Sequence, residues 1–317
     1  MTERTTEAHT ECSLAEMPEK SLADDEGWIS WCRLRAEALE RLHQQLLVSA
    51  PQHPGLVEYG IVERVQAASG TQAWSWAAPS EVQETINTIN AWGTRLHDWR
   101  AWNAVVESYE REEDKWLILH DFVEATAFFC MYQPSAVSDR LMLLAERLMH
   151  QGNLAVVPGY LDQLDQDRRP YKFLRRSERR AQIIRQGQFW DRFHVFLEAL
   201  DAVNSEEYRK ISRNFRDLSS HAFAPRLMGG QIMRAARSIE PWQHMVAKLD
   251  GSYLLEKHPT KKCVSYSMRV VKPFPLREAF SANFSEYRKA LAAMGALSGL
   301  IEEMCEAMDL KSADLLK

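Results

Sequence analysis

The sequence contains little cysteine and no apolar run long enough to cross a bilayer. Its 317 residues include five scattered cysteines, and none of them form the Cys-x-x-Cys spacing that zinc sites use. This pattern predicts reduced thiols and a cytoplasmic location, with neither a structural zinc nor a disulfide framework. Because about eighteen consecutive apolar residues never occur, we expect no transmembrane helix. The acidic N-terminus also lacks an apolar segment, so we expect no secretory signal.

Internal repeats and low-complexity segments are absent too, and the composition is typical of a globular chain, with 45% hydrophobic and 26% charged residues. Apolar residues recur mostly at spacings of three and four. The sequence therefore predicts a mainly α-helical bundle with at most one short β-hairpin. We expect an acidic, disordered tail over residues 1–27, an N-terminal helical extension over 28–79 and a main helical domain over 80–317.

Capping residues and prolines set the expected element boundaries. Ser80 begins a capping box, and Pro134 precedes a new helix. Alternation in Cys263–Val271 predicts a strand, whereas the polar stretch before it predicts a loop over residues 251–262. Residues 56–65 fit either a helix or a strand, and Trp74 and Trp76 are expected to pack beneath a loop. The predicted helices cover residues 28–49, 80–109, 115–132, 136–150, 189–203, 205–220, 231–248 and 285–308.

Charge is distributed unevenly along the chain, although the net charge is only −5. Residues 168–277 contain 23 Lys+Arg and 10 Asp+Glu, a net charge of +13, and the remainder carries −18. Such asymmetry favours contact between the basic region and an anionic partner such as a nucleic acid. The stretch Arg168–Arg185 is the most basic part. Its arginines either contact phosphate groups or form a solvated helix face.

The stretch Ser205–Gly230 combines a predicted helix with a row of arginines and a histidine. Ser205 is a natural N-cap, and apolar residues recur behind it at helical spacing. Three arginines recur at the same spacing, so we expect them on one other face of the helix. A histidine then follows the helix end. These four residues are Arg209, Arg213, Arg216 and His221.

The segment Arg216–His221 carries the groups needed to cut RNA through its own 2′-hydroxyl. A guanidinium can hold a phosphate through two hydrogen bonds, and a histidine can take or give a proton near neutral pH. Arg4–His9 and Arg237–His244 have similar spacing, but the first lies in the polar tail and the second spans a proline. Only Arg216–His221 ends a capped amphipathic helix.

The segment resembles the motif of the HEPN superfamily: an arginine, a polar residue, a short spacer and a histidine. The surrounding sequence also resembles HEPN-type proteins of bacteria. The three stretches that carry this likeness are FWDRFHVFLEAL before the motif, YRKISRNFRDLSSHAFAPRL through it and YSMRVVKPFPL after it. The likeness is carried by Phe189–Leu276, and we assign residues 80–317 to a HEPN-like domain. It implies an all-helical fold, nucleotide or RNA binding and a homodimer with a composite site. Many HEPN ribonucleases have asparagine where this chain has Asp217.

This resemblance implies a metal-independent endoribonuclease, in a toxin–antitoxin or phage-defence setting with a possible antitoxin partner. Arg216 would bind the phosphate, His221 would act as general acid and base, and Asp217 or Ser220 would position the histidine. We expect no cofactor. The candidate phosphate-binding residues beyond Arg216 are Arg175, Arg176, Arg179, Arg209, Arg213 and Ser220.

Two other functions stay open from the sequence: a non-catalytic HEPN-like module that binds RNA or a nucleotide, and a helical protein-interaction protein. A metal site is a further alternative, since His120, Asp121 and Glu124 lie close together on one predicted helix. Di-iron bundles repeat such clusters on other helices, and this sequence offers no second cluster. We therefore interpret the three residues as the polar face of a bundle helix.

Overall fold

Long helices form most of the computed structural model, which describes residues 22–50, 53–171, 173–221, 223–227 and 231–315. A single two-stranded antiparallel hairpin is the sheet that these residues form. The helices are α1 (Leu22–Ser49), α2 (Gly60–Ala67), α3 (Gln72–Glu107), α4 (Glu112–Ile118), α5 (Glu124–Val156), α6 (Arg176–Gly187), α7 (Phe193–Ala202), α8 (Glu206–Ile211), α9 (Phe215–His221) and α10 (Leu276–Leu315), and the strands are β1 (Ile232–Ala247) and β2 (Tyr253–Val271). The predicted fold class is confirmed.

Helices α3, α5 and α10 pack against one another at the centre of the bundle. Trp74, Trp92 and Trp99 on α3 have no exposed surface, and Tyr287 on α10 packs edge-on against Trp92 at 5.2 Å between ring centroids. Each such aromatic side chain removes about 150–250 Å² from water, so this seam is a main source of stability. The remaining helices cover its outer faces.

The N-terminal helices differ from the predicted boundaries. Helix α1 begins at Leu22, so residues 22–27 are helical rather than disordered; the rest of the predicted tail, residues 1–21, lies outside the described residues. Helix α3 begins at Gln72, not Ser80, because the Thr71 side chain accepts a hydrogen bond from the Trp74 backbone and caps an earlier turn. Trp74 and Trp76 consequently lie on α3 and not beneath a loop.

Helix α5 continues through Pro134, where the sequence predicted a new helix. Ahead of α5, the π-helical turn Leu119–Val123 joins it to α4, so that residues 112–156 form one long rod. The last helix, α10, begins at Leu276, well before the predicted Ser285, because Pro273 and Pro275 stop the preceding strand and leave the chain able to enter a helix directly. No helix among the described residues is long and apolar enough to span a membrane.

The predicted helix over residues 231–248 is wrong, since those residues form β1. The predicted polar loop over 251–262 is also wrong, because β2 starts at Tyr253; the predicted strand Cys263–Val271 is its second half. The turn between the strands contains Gly251 at φ +82°, and Asp-Gly is a strong hairpin signal when apolar residues alternate around it. Pro241 lacks an N–H and lies at a register shift in the ladder.

Candidate functional site

The predicted helix over residues 205–220 is two short helices separated by a left-handed turn. Ser205 caps α8 as predicted, with its side chain accepting a hydrogen bond from the Tyr208 backbone. Arg213 and Asn214 then adopt φ values of +54° and +53°, which end α8 and re-aim the chain. The turn lets Phe215 bury its ring against Phe128 of α5, and this burial offsets the strain of a left-handed arginine.

Because of this turn, the three arginines do not share one helix face as predicted. Arg209 lies on α8 and Arg216 on α9. Arg213 points to the root of the hairpin, where its guanidinium donates to the carbonyl of Lys272 at 2.9 Å and lies over the Phe274 ring. Arg213 therefore binds the backbone just after β2. It does not join Arg209 and Arg216 in the phosphate-binding row that the spacing predicted.

Helix α9 places Arg216, Asp217, Ser220 and His221 within two turns. Arg216 donates to the neighbouring carboxylate of Asp217 at 3.1 Å, and both side chains are about half exposed. Asp217 and His221 are four residues apart, so they lie on one side of the helix. The Ser220 hydroxyl is 3.2 Å from the hydroxyl of Tyr132 on α5, and His221 is exposed. The helix therefore presents a guanidinium, a carboxylate and an imidazole to solvent.

A small cleft lies between α8, α9 and α5. Arg209 and Arg216 both line it, and Arg209 forms no ion pair among the residues that the structure describes. Tyr208 closes its inner end; burial raises the pKa of this phenol, so it stays protonated at neutral pH. The lining residues are Met131, Ser135, Asn204, Tyr208, Arg209, Ser212, Asn214, Phe215, Arg216 and Asp217.

The arginines of α6 lie beside α5, further along the rod. Arg176 donates to the Ser138 hydroxyl at 2.7 Å and pairs with Asp139, and Arg179 pairs with Glu146 at 3.2 Å. Ser138 is one turn beyond Ser135, which lines the cleft, so Arg176 approaches the motif along α5. Arg175 is the N-cap residue of α6, and its backbone N–H donates to Glu178.

Carboxylates neutralise much of the predicted basic stretch. Asp139 and Glu146 on α5 face it from one side, and acids of the neighbouring loops and helices face it from the other. These ion pairs lower the positive potential of the stretch. The arginines that form such ion pairs are Arg169, Arg176, Arg179, Arg180 and Arg185.

The candidate metal residues have protein partners. Asp121 accepts hydrogen bonds from the Trp31 indole at 3.0 Å and from Arg35 at 3.2 Å, which fixes α1 against the rod. His120 stacks on the Trp116 ring and lies 3.5 Å from Glu124. Among the described residues no group of three or more His, Cys, Asp or Glu side chains could hold a metal ion.

Besides His120, the rod carries aromatic residues that sequence reasoning did not single out. Trp116, His120, Phe128 and Tyr132 are spaced at multiples of four residues, and Trp116 and Phe128 are 51% and 43% exposed. The Phe128 and Tyr132 rings contact each other beside α9, with centroids 5.0 Å apart. Exposed rings next to a cationic group are the surface on which unpaired bases stack. The four-residue spacing was the signal that could have revealed them.

Comparisons with protein-family models, with curated proteins and with solved structures found no match to this chain.

Proposed function

We propose that the chain is a metal-independent endoribonuclease of HEPN type that acts at α9. One observation carries this proposal: α9 presents Arg216, Asp217, Ser220 and His221 together at the surface, beside a cleft lined by Arg209, which forms no ion pair within the described part of the chain. A guanidinium for the phosphate and an imidazole for the proton are the two groups that cleavage through a 2′-hydroxyl requires.

In the proposed reaction the scissile phosphate takes the place of Asp217 on Arg216. A phosphate offers two oxygens to the guanidinium fork and so competes well with one carboxylate oxygen. The released Asp217 side chain then lies on the same side of α9 as His221, where it can accept a hydrogen bond from the imidazole and hold it for proton transfer. Nucleophile and leaving group both come from the RNA, so the protein supplies positioning and proton transfer.

The rod would hold the rest of the RNA. Phe128 and Tyr132 offer ring faces beside α9, the exposed Trp116 lies further along the rod, and Arg209 supplies a cation at the cleft. Resemblance to HEPN proteins further implies a homodimer with two motif segments in one composite site. It also implies a toxin–antitoxin or phage-defence role, in which an antitoxin would cover α9.

A second candidate is a non-catalytic HEPN-like module that binds RNA or a nucleotide. The ion pair between Arg216 and Asp217 favours it, because the adjacent carboxylate partly neutralises the group that would stabilise the transition state. Binding then depends on Arg209 and the aromatic residues, and His221 has no chemical role.

Cleavage of a labelled structured RNA in EDTA, at several salt concentrations, separates the two candidates. The variants are Arg216→Ala, His221→Ala and, as a matched control away from the cleft, Arg185→Ala on α6. The enzyme proposal expects cleavage by the wild type and Arg185→Ala, and at least 100-fold slower cleavage by the other two. Salt-sensitive binding without cleavage by any form would instead establish the module, and neither binding nor cleavage would refute both.

A further inference from the structure

The hairpin is an amphipathic ribbon whose apolar face lies in solvent. Even-numbered residues of β1 are mostly partly covered, whereas odd-numbered residues are exposed along the whole strand. Residues directly opposite each other on two paired strands share a face, so the register assigns β2 residues to the same exposed side. The large apolar side chains on that side are Met233, Ile239, Met245, Tyr253, Leu255, Val264, Tyr266, Met268 and Val270.

The opposite face is mixed. It pairs Arg234 with Arg269, Ser238 with Ser265 and Glu240 with Cys263, but also Ile232 with Val271 and Val246 with Leu254. Neither strand makes more than sparse contact with any helix, so the described part of the chain does not cover the apolar face. A two-stranded hairpin alone is marginally stable in water, and an amphipathic one needs a partner for its apolar side.

We infer that this apolar face is the dimer interface of the protein and that its occupant is the same face of a second copy. Its nine large side chains are 46–71% exposed. At about 200 Å² for a fully exposed large side chain they present roughly 1,100 Å² per chain. That exceeds the roughly 300–600 Å² of the largest apolar patch on a typical monomer and meets the ~800 Å² that each partner contributes to a stable interface.

The chemistry of the face also fits a second copy. A two-fold interface brings a patch against itself, so the patch must be self-complementary. Aliphatic and aromatic side chains meet this condition. The cations on the same side, Arg237, Lys257 and Lys262, have long aliphatic stems that can lie along such a surface while their charged ends stay in water. Packing two hairpins face to face makes a four-stranded, two-layer unit, which also supplies the third and fourth strands that a lone hairpin lacks. The inference is independent of whether α9 cuts RNA.

Sedimentation velocity across about 1–100 μM tests the inference on the full chain. We expect a dimer for the wild type and at least ten-fold weaker association for Ile239→Thr/Met268→Thr, because threonine keeps strand propensity and removes apolar area. The matched control, Val246→Thr/Leu254→Thr, makes the same kind of change at a cross-strand pair on the opposite face and should leave the dimer intact. Far-ultraviolet circular dichroism shows that each variant is folded.

Amide hydrogen exchange on the wild type gives a readout without substitution. Exchange in residues 232–271 should slow as the protein concentration rises through the dimerisation range, while exchange in α3 and α10 stays constant. A wild type that is monomeric at 100 μM overturns the inference. So does a dimer that survives the Ile239→Thr/Met268→Thr change, or protection of the strands by RNA in a protein that remains monomeric.

Discussion

The side-chain amide of Asn283 donates a hydrogen bond to the backbone carbonyl of Cys130 at 2.8 Å. Cys130 is four residues before Pro134, so its carbonyl is the acceptor that the proline, having no N–H, leaves without an intrahelical partner. Asn283 also accepts from the Trp92 indole at 2.8 Å and donates to the Tyr208 hydroxyl at 3.1 Å. One buried amide thereby joins α3, α5, α8 and α10 and supports the inner end of the cleft.

We expect Asn283→Leu to destabilise the protein by about 3 kcal/mol, because it leaves buried polar groups of Cys130 and Trp92 without partners. Denaturant unfolding followed by circular dichroism measures this loss. The control is Pro134→Ala, made in the wild type and in Asn283→Leu. The alanine N–H can donate to the Cys130 carbonyl within α5, so the destabilisation caused by Asn283→Leu should fall by about 1 kcal/mol. An unchanged cost would show that Asn283 does not compensate for the proline.

Two arginines of α6 should differ in their effect on stability. Glu146 is 2% exposed, and burial raises the pKa of its carboxyl, which Arg179 opposes. At neutral pH Arg179→Met leaves a buried carboxylate whose remaining hydrogen-bond partner is the neutral Gln182 side chain, and we expect a loss of about 3 kcal/mol. Arg176 pairs with an exposed carboxylate, so Arg176→Met should cost under about 1 kcal/mol.

The Arg179→Met loss should also shrink in acid. With its folded pKa above the unfolded value, Glu146 takes up a proton first in the folded chain, which removes the buried charge as the pH falls. Urea unfolding at pH 7.5 and pH 5 measures both effects. Equal losses for the two variants, or a loss that grows in acid, would contradict this view of Glu146.

His53 should make the protein less stable in mild acid. Burial and the nearby charge of His97 lower the pKa of His53, and its Nδ1 accepts a hydrogen bond from the Gly55 backbone. A base with a lowered folded pKa binds more protons when unfolded, so stability falls as the pH drops below about 6.5.

The thermal midpoint of the wild type should therefore fall more between pH 7.5 and pH 5.5 than that of His53→Gln. His43→Gln, at an exposed position of α1, is the matched control and should follow the wild type. All other titrating groups are common to the three proteins, so a slope unaffected by His53→Gln would rule out this contribution.

Glycine to alanine substitutions at two helical positions should change the free energy of unfolding in opposite directions. A Cβ added at Gly93 of α3 would overlap the Tyr287 hydroxyl, which donates a hydrogen bond to the Gly55 carbonyl, so Gly93→Ala should cost about 2 kcal/mol. At Gly295 of α10 nothing lies within 4 Å of the added atom. Gly295→Ala should stabilise by up to about 1 kcal/mol through helix propensity. The unfolding midpoints of the two variants measure these effects. A shift in the same direction for both variants would refute the close contact at Gly93.

Local pattern was enough for the helix class and for the cap of the helix that precedes the motif. The spacing of apolar residues predicted the bundle, Ser205 was the expected cap, and Cys263–Val271 was the expected strand. The predicted elements were wrong where a capping or turn residue, and not the spacing of apolar residues, determined the local structure. Thr71 capped α3 earlier than Ser80, and apolar residues on β1 were assigned helical spacing although an Asp-Gly turn follows them.

By itself the sequence determined what depends on neighbours along the chain: helix-forming stretches, their caps, and a short segment that contains an arginine, a carboxylate and a histidine. Tertiary structure decided which of those groups are available. The left-handed turn at Arg213 turned one arginine towards a strand end, α5 carboxylates neutralised Arg176 and Arg179, and Asn283 let α5 continue through a proline. Each outcome depends on a partner distant in sequence, and spacing along the chain carries no information about such partners.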